Sequence, residues 1–287
     1  MSIWDAIIQG IVQALTEFLP ISSSGHLALY NYFFNNNQGE TLFTIILHIG
    51  TLIAVCIVYY KTIWQLIIEF FDLIGDIFTG KFKWKEMSQT RRMLIMLIIC
   101  MLPLLVFVPF SDVVDYAAKN IYILAGCFLF TGMILMFGHI MGKKANKKDK
   151  MTVKDALVIG TFQGIAILPG VSRSGSTISA GLLMGLDKQF VTQFSFILSI
   201  PTILGSFVLE MYKSRDALST LEVTPTIIGV AVAAIFGVLA IKFIEFIIKK
   251  DKFNIFAYYC FALGGLLAIE SIYELIAGQT IVQAIIG

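Results

Sequence analysis

Two short segments of this 287-residue chain carry side chains that could act on a phosphate group. The first, residues 13–26, holds the carboxylate of Glu17, three serines and the imidazole of His26. The second, residues 169–177, holds two glycines, four hydroxyl side chains and the guanidinium of Arg173. Glycines let backbone N–H groups turn inward, the helix predicted to follow presents its positive end, and arginine binds phosphate bidentately. The two segments together indicate a site for a phosphate or a diphosphate.

The spacing of these residues leaves the nucleophile open. Ser23 and His26 are three residues apart, so on a helical turn the imidazole could reach the hydroxyl. That permits Ser23 as the nucleophile with His26 as its base, or His26 as the nucleophile itself. An ionisable residue inside an apolar region is a functional candidate, so Glu17 is assigned to the site. The alternative for Glu17 is a structural partner of Arg173.

Metal and disulfide patterns add little to this assignment. The sequence has no HExxH and no DxDxDG motif, and its four cysteines stand singly in apolar stretches. His48 and His139 lie in apolar runs without other polar residues and are interpreted as core residues. A divalent cation held mainly by substrate phosphates, with Glu17 assisting, is compatible with this pattern, because Mg²⁺ often keeps few protein ligands.

The composition places these segments in a membrane protein. Hydrophobic residues make up 57% of the chain and charged residues only 14%, and the mean hydropathy is +0.85. A soluble domain carries about 25% charged residues, so a large soluble domain is excluded. The net charge of +2 provides no broad basic face for nucleic acid.

Six apolar runs are long enough to cross the hydrocarbon core as helices, which takes about 20 residues. Two further apolar regions, 2–33 and 153–186, are broken near the middle by a proline and a Ser/Gly cluster. Because each is too long for one span, we predict a re-entrant pair of half-helices rather than a kinked span. The predicted fold class is an all-α integral membrane protein with spans at 41–60, 93–111, 120–142, 189–209, 223–241 (continuing to 248) and 253–269.

Basic residues are concentrated in three of the predicted loops, after the first, third and fifth spans. By the positive-inside rule these loops face the cytoplasm and both termini face outward. Residues 62–88 belong to the first of these loops and are amphipathic, so we predict that they lie on the inner membrane surface. The alternative is a short seventh span.

The chain also contains an internal repeat. A shift of 150 residues aligns 5–14 with 155–164 and 21–26 with 171–176, and 43–51 matches 194–202 one position out of register. The single membrane domain, 1–287, is thus divided into repeats 1–142 and 150–287. Each repeat has one hairpin and three spans, and an odd number of spans inverts the second half relative to the first. We therefore expect the hairpin tips to meet near the midplane, with Glu17 and His26 of one half against Arg173 of the other.

Taken together, these motifs resemble the undecaprenyl-diphosphatases of the bacitracin-resistance type over nearly the whole chain. That family carries a Glu/Gln-x-x-x-Glu motif, matched by Gln13 to Glu17, and a Ser-Ser-x-Gly-His stretch, matched by Ser22 to His26. Its Pro-Gly-x-Ser-Arg-Ser-x-x-Thr motif is matched by residues 169–177. Members with Glu at the position of Gln13 have two carboxylates there, and this chain has one.

The resemblance implies an integral enzyme of the bacterial plasma membrane that hydrolyses undecaprenyl diphosphate to undecaprenyl phosphate and inorganic phosphate. Such an enzyme recycles the lipid carrier of cell-wall synthesis and confers bacitracin resistance. The resemblance also implies Mg²⁺ or Ca²⁺ as a cofactor with Glu17 as a shared ligand, a site facing the outer side, a polyprenyl diphosphate and membrane lipids as partners, and a homodimer. By position, the implied catalytic residues are Glu17, Ser23, His26 and Arg173, and the implied substrate-binding residues are Gln13, Ser22, Ser24, Gly170, Ser172, Ser174 and Thr177.

Two other function classes fit parts of the pattern. Inverted repeats with broken helices are also a transporter design, so a lipid transporter or flippase is the main alternative. Such a protein needs a ligand site but no nucleophile, and a structural scaffold needs neither. Phosphate release from a prenyl diphosphate distinguishes the enzyme from both.

Overall fold

The computed structural model describes residues 1–34, 40–213 and 222–278, and all regular structure in these ranges is helical. The predicted all-α fold class is confirmed. Apart from two short 3-10 turns, the helices of the described ranges are α1 (Ile3–Phe18), α2 (Ser23–Phe34), α3 (Glu40–Val58), α4 (Tyr60–Phe78), α5 (Gln89–Phe107), α6 (Ser111–Ala118), α7 (Ile121–Lys144), α8 (Val153–Ile165), α9 (Arg173–Leu183), α10 (Lys188–Lys213), α11 (Val223–Lys249) and α12 (Ile255–Ala277).

Each broken apolar region forms two helices that are too short to cross a membrane alone. Helices α1 and α2 have 16 and 12 residues, and α8 and α9 have 13 and 11, against about 20 for a span. The two helices of each pair pack against each other, as a hairpin requires. Both hairpins begin with a capping box, Ser2 with Asp5 in α1 and Thr152 with Asp155 in α8, which fixes where the first helix starts.

The six predicted spans correspond to six long helices. Helices α5, α7, α10, α11 and α12 are each long and apolar enough to cross a membrane. The remaining one, α3, is followed by the amphipathic α4, which is bent by 90° from it. This bend is compatible with α4 lying along the membrane surface, and that position of residues 62–88 stays a prediction. Arg91 at the start of α5 forms ion pairs with Glu69 and Asp76 and so holds α4 in this direction.

The two predicted repeats pack against each other through equivalent helices. Helix α1 lies against α11 of the second repeat, α8 lies against α5 of the first, and α7 packs against α12. A Cβ on Gly10 of α1 would lie 2.8 Å from the carbonyl oxygen of Gly229 in α11, so glycine permits this close approach. Such an exchange of contacts is the packing expected of a duplicated chain. The inverted orientation and the repeat boundaries stay predictions, and residues 279–287 lie outside the described part of the chain.

The basic loops lie together at one end of the helices. Arg92 Nη1 donates to the carbonyl oxygen of Met151 at 3.4 Å, and Lys143 Nζ forms an ion pair with Asp251 at 2.8 Å. At the other end of α11, the N-terminal ammonium group of the chain forms an ion pair with Glu222 at 2.7 Å. This grouping is the one that the positive-inside rule requires. Which end faces the cytoplasm stays a prediction.

Candidate active site

The tips of the two hairpins contact each other directly. Ser22 and Gly170 have left-handed backbone conformations, with φ of 73° and 91°. The Ser22 hydroxyl accepts hydrogen bonds from the N–H of Gly25 at 3.3 Å and from the N–H of Gly170 at 3.1 Å. A Cβ on Gly25 would come within 2.7 Å of the Gly170 Cα, so this approach requires glycine. The tips therefore meet, as predicted.

Glu17 lies at the centre of the polar groups gathered beside this contact. It is the last residue but one of α1, and only 8% of it is exposed. Its Oε1 accepts a hydrogen bond from Arg173 Nη2 at 2.5 Å, and its Oε2 accepts one from Ser23 Oγ at 2.5 Å. Gln13, one turn earlier and fully buried, donates from Nε2 to the same Oε2 at 3.2 Å. The acid of the first half thus meets the guanidinium of the second half.

Arg173 is oriented by α10 as well as by Glu17. Its Nη1 donates to the carbonyl oxygen of Ser195 at 3.2 Å, and the Ser195 hydroxyl lies 2.6 Å from Thr177 Oγ1. A guanidinium held at two nitrogens keeps a fixed direction, and its other N–H groups suit phosphate oxygens. Ser23 and Arg173 are the first residues of α2 and α9, so both helices direct their positive ends towards this cluster.

A second imidazole, that of His48 in α3, completes the cluster. Its Nε2 lies 3.7 Å from Glu17 Oε2, and its side chain is 23% exposed. Its Nδ1 lies 2.8 Å from the carbonyl oxygen of Thr44, and since a carbonyl only accepts, Nδ1 carries a proton and donates it. The interpretation of His48 as a core residue without polar neighbours is therefore wrong. The internal repeat could have indicated that His48 belongs to the site, because His48 is aligned with Ser199 and the site residues are those at which the two halves differ.

His26 does not form the expected contact with Ser23. Its Nδ1 lies 2.7 Å from the carbonyl oxygen of Ser22, and its Nε2 lies 2.7 Å from the hydroxyl of Tyr259 in α12. The ring also stacks on Tyr259, with centroids 5.7 Å apart. A helical turn fixes the backbone spacing of Ser23 and His26 but does not fix the His26 rotamer. The contacts of His26 with Ser22 and Tyr259 select a rotamer that does not bring the ring to Ser23. The geometry does not fit His26 as the base for Ser23, because the Ser23 hydroxyl donates to Glu17.

The residues implied to bind substrate fall into two groups. Gln13 contacts the carboxylate of Glu17, and Ser24 is exposed. The others support the backbone of the tips: Ser172 caps α9 by accepting a hydrogen bond from the N–H of Gly175 at 3.1 Å, for example. Their contact with a substrate stays a prediction. This second, buried group consists of Ser22, Gly170, Ser172, Ser174 and Thr177.

The same cluster contains the donors that a cation would need. In the three described ranges no three His, Cys, Asp or Glu side chains come together as a metal-binding group. Glu17 and His48 nevertheless approach each other, and the side-chain carbonyl oxygen of Gln13 is buried beside them without a hydrogen-bond partner among the described residues. A buried acceptor without a donor and an imidazole nitrogen beside a carboxylate fit a divalent cation, with substrate oxygens completing its coordination.

Comparison with known proteins assigns the chain to a family. The sequence profile of the bacitracin resistance protein BacA matches residues 6–266, which include both hairpins. An undecaprenyl-diphosphatase of Methanobrevibacter smithii is 41% identical over 281 residues, covering 96% of this chain and 100% of that protein. One of Bacteroides thetaiotaomicron is 40% identical over 275 residues, covering 94% and 98%. One of Alkaliphilus metalliredigens is 37% identical over 275 residues, covering 95% and 100%. The chain therefore belongs to the bacitracin resistance protein BacA family.

Proposed function

We propose that this protein hydrolyses undecaprenyl diphosphate to undecaprenyl phosphate and inorganic phosphate in the bacterial plasma membrane. The observation that carries the proposal is the 2.5 Å contact of Ser23 Oγ with Glu17 Oε2 beside the Arg173 guanidinium. This contact supports the proposal because the Ser23 hydroxyl could act as a nucleophile with Glu17 as its base, next to a guanidinium suited to phosphate. The relatives that bear the name undecaprenyl-diphosphatase support the same substrate. Removal of the diphosphate form would also account for resistance to bacitracin.

In the proposed first step, Ser23 attacks the terminal phosphorus while Glu17 accepts the hydroxyl proton. A bond forms between Ser23 Oγ and that phosphorus, and the bond from the phosphorus to the bridging oxygen breaks. Undecaprenyl phosphate leaves with the electron pair and takes the proton from Glu17. Water then attacks the phosphoserine, Glu17 accepts a proton from the water and returns it to Ser23, and inorganic phosphate is released.

Arg173 and the helix ends supply the stabilisation that this reaction needs. Charge accumulates on the oxygens of the transferring phosphoryl group, and donors fixed in a site without bulk water stabilise it strongly. Arg173 is held by Glu17 and the Ser195 carbonyl, and the first N–H groups of α2 and α9 are close by. His26 is less suited as the nucleophile, because both of its ring nitrogens are engaged in hydrogen bonds.

The membrane setting and the cofactor complete the proposal. The polyprenyl tail would stay in the bilayer while the diphosphate reaches the hairpin tips. The family resemblance implies a site reached from the outer side of the membrane, the side on which the distribution of basic loops predicts both termini. A divalent cation bound to diphosphate oxygens would offset their charge, with Glu17 as one of its protein ligands. Assembly as a homodimer stays a prediction.

Phosphate release by the detergent-purified protein tests this function. We expect the wild type to release phosphate from undecaprenyl diphosphate and Ser23→Ala to lose about 1000-fold or more of that activity. Ser271→Ala is the matched control, because Ser271 is a buried helical serine of α12 whose hydroxyl donates to the Leu267 carbonyl oxygen at 2.7 Å. It should keep full activity.

Two outcomes would contradict the proposal. A wild-type protein that binds the lipid without releasing phosphate would be a transporter or a scaffold. Undiminished phosphate release by Ser23→Ala would exclude Ser23 as the nucleophile. Mass spectrometry of an acid-quenched reaction locates a trapped phosphoryl group, which we expect on Ser23 rather than on His26.

A further inference from the structure

We propose that a cavity at the end of the helices where the basic loops lie binds the phosphate headgroup of an anionic lipid. The cavity has a volume of about 530 Å³, and ligand pockets typically have about 300–1,000 Å³. It lies between α7, α9 and the end of α11, and the loops that follow α7 and α9 border it. Helix α7 belongs to the first predicted repeat and α9 and α11 to the second, so a bound lipid would contact both repeats.

This cavity is separate from the Glu17 cluster. Helix α9 begins at Arg173 beside the hairpin tips and lines the cavity with Ile178 and Leu182. At a rise of about 1.5 Å per residue, Leu182 is about 14 Å along the helix from Arg173. Lipid binding there is a property beyond the proposed phosphatase function and does not require it.

The lysines of the cavity outnumber the carboxylates that contact them. Lys143 and Lys188 share one carboxylate, that of Asp251, at 2.8 and 3.6 Å. Lys147 forms no ion pair with a described residue, and its Nζ donates to the carbonyl oxygen of Gly142 at 3.2 Å. Three ammonium groups thus have one carboxylate in direct contact.

The other charged side chains of the lining do not remove this imbalance. Lys148 is paired with the buried Asp155 at 2.7 Å. The carboxylate of Asp187 accepts two backbone N–H groups at the start of α10, at 2.9 Å each, where the positive helix end offsets its charge. Asp149 is exposed and forms no ion pair with a described residue. Against Asp251 and Asp149, the three lysines keep an excess of one positive charge, which matches the single negative charge of a phosphodiester.

The cavity also has a free donor and fixed walls. His139 lines it and forms no hydrogen bond with a described residue, and an imidazole in any form has at least one N–H group. His139 thus lies beside charged groups, and its interpretation as a core residue is wrong. The backbone N–H of Lys148 donates to the carbonyl oxygen of Gly185 at 3.0 Å, which ties the two bordering loops together. Walls that are already ordered lose little entropy when a ligand binds.

The position of the cavity along α7 favours a lipid over a free anion. Ile140 and Met141 are 46% and 39% exposed, as expected of side chains that contact hydrocarbon, and Lys143 follows within the same turn. The cavity therefore lies at the level where lipid phosphates meet the acyl chains. Basic pockets between membrane helices on the cytoplasmic side, where these loops are predicted to lie, bind anionic headgroups. The apolar part of the lining, which would contact the glycerol and the first methylene groups, consists of Ile178, Leu182, Ile248 and Phe253.

Ligand titrations of the detergent-purified full-length protein test the site. A ligand that binds the folded protein raises its Tm, and the dependence on concentration gives an apparent Kd. We expect phosphatidylglycerol to bind about tenfold or more tightly than phosphatidylcholine, whose ammonium group cancels the phosphate charge, and than inorganic phosphate. Equal binding of the two lipids would overturn the role of charge. Inorganic phosphate that binds as tightly as phosphatidylglycerol would overturn the assignment to a lipid.

Lys147→Gln tests the lysines without breaking an ion pair, because the Lys147 ammonium group contacts a backbone carbonyl. We expect phosphatidylglycerol binding to weaken about fivefold, the effect of one cation at a membrane surface. Lys81→Gln is the matched control, since Lys81 is an exposed lysine of another basic loop and should not affect the affinity. No loss in Lys147→Gln, or an equal loss in both variants, would indicate general attraction to basic loops and overturn the site.

Asp251→Asn separates lipid binding from stability. The Asp251 carboxylate contacts Lys143 and Lys188 in the free protein, so it competes with a lipid phosphate for both ammonium groups. Its removal should tighten phosphatidylglycerol binding about fivefold, although the lipid-free protein loses two ion pairs. If Asp251 and the lysines only stabilise the fold, the variant has a lower Tm without tighter binding, and that result would overturn the proposal.

Discussion

Gly25→Ala should separate the two hairpin tips and thereby strongly reduce the activity of the protein. The added Cβ would lie 2.7 Å from the Gly170 Cα and 2.9 Å from its nitrogen. Carbon atoms in contact lie about 3.5–4.0 Å apart, so the backbones must separate by about 1 Å. The hydrogen bond from the Gly170 N–H to Ser22 Oγ, now 3.1 Å, would then be lost. Overpacking of this kind costs about 1–3 kcal/mol, which a folded protein can tolerate.

The effect on activity should be larger than the effect on stability. Glu17 and Arg173 belong to different hairpins, and a displacement of about 1 Å between catalytic groups can reduce the rate about 100-fold. We therefore expect kcat/KM for phosphate release to fall about 100-fold while the helical content stays that of the wild type. Gly126→Ala on α7 is the matched control, because a Cβ there would meet no atom within 4 Å. Activity of Gly25→Ala within twofold of the wild type, or an equal loss in Gly126→Ala, would refute the reasoning.

Two further predictions concern contacts outside the Glu17 cluster. Tyr259→Phe removes the hydroxyl that lies 2.7 Å from His26 Nε2 and should lower the free energy of unfolding by about 1 kcal/mol. Denaturation in detergent measures this change, and an unchanged free energy of unfolding would show that the hydrogen bond does not stabilise the protein. The hydrogen bond from Lys143 lowers the pKa of the Asp251 carboxyl, so its contribution to stability is present above the unfolded pKa and is lost as the pH falls through the folded pKa. Asp251→Asn keeps a side chain that tolerates the φ of 59° and should be less stable than the wild type at neutral pH. The difference in Tm should shrink as the pH falls below the ordinary aspartate pKa of about 3.9, and a constant difference would exclude the ion pair as its cause.

The apolar pattern was sufficient to predict most of the fold. Long apolar runs must become helices in a bilayer, because each backbone polar group has to be satisfied within its own segment. The same reasoning predicted the pairing of Glu17 with Arg173, since an uncompensated charge in an apolar region is costly and these residues come from facing tips. In both cases a large free-energy cost, of an unsatisfied backbone group or of an unpaired charge, leaves few possible structures. The sequence is then sufficient to predict the one that forms.

The remaining parts of the site depend on tertiary packing that local spacing does not encode. His48 is 31 residues from Glu17 in sequence, on a helix whose rotation about its axis decides which face meets α1. Tyr259 is 233 residues from His26, and the two meet where α12 and α2 both pack against α7. Each such contact stabilises the folded state by only about 1 kcal/mol, and many alternative side-chain contacts would have a similar energy. Rotamers and distant partners of this kind therefore have to be read from the structure.

The two repeats show how a duplicated scaffold can produce one site rather than two. Thr44 and Ser195 are aligned in the repeat, and the backbone carbonyl of each orients an ionisable side chain: that of Thr44 holds His48, and that of Ser195 holds Arg173. An equivalent backbone carbonyl acceptor is thus present in both halves, but a histidine donates to it in the first half and an arginine in the second. Ser23 and Arg173 likewise begin equivalent helices, yet one carries the hydroxyl and the other the guanidinium. Because the second half has Ile167 in place of a carboxylate, a second cluster of this type cannot form, and the proposed chemistry uses side chains from both halves.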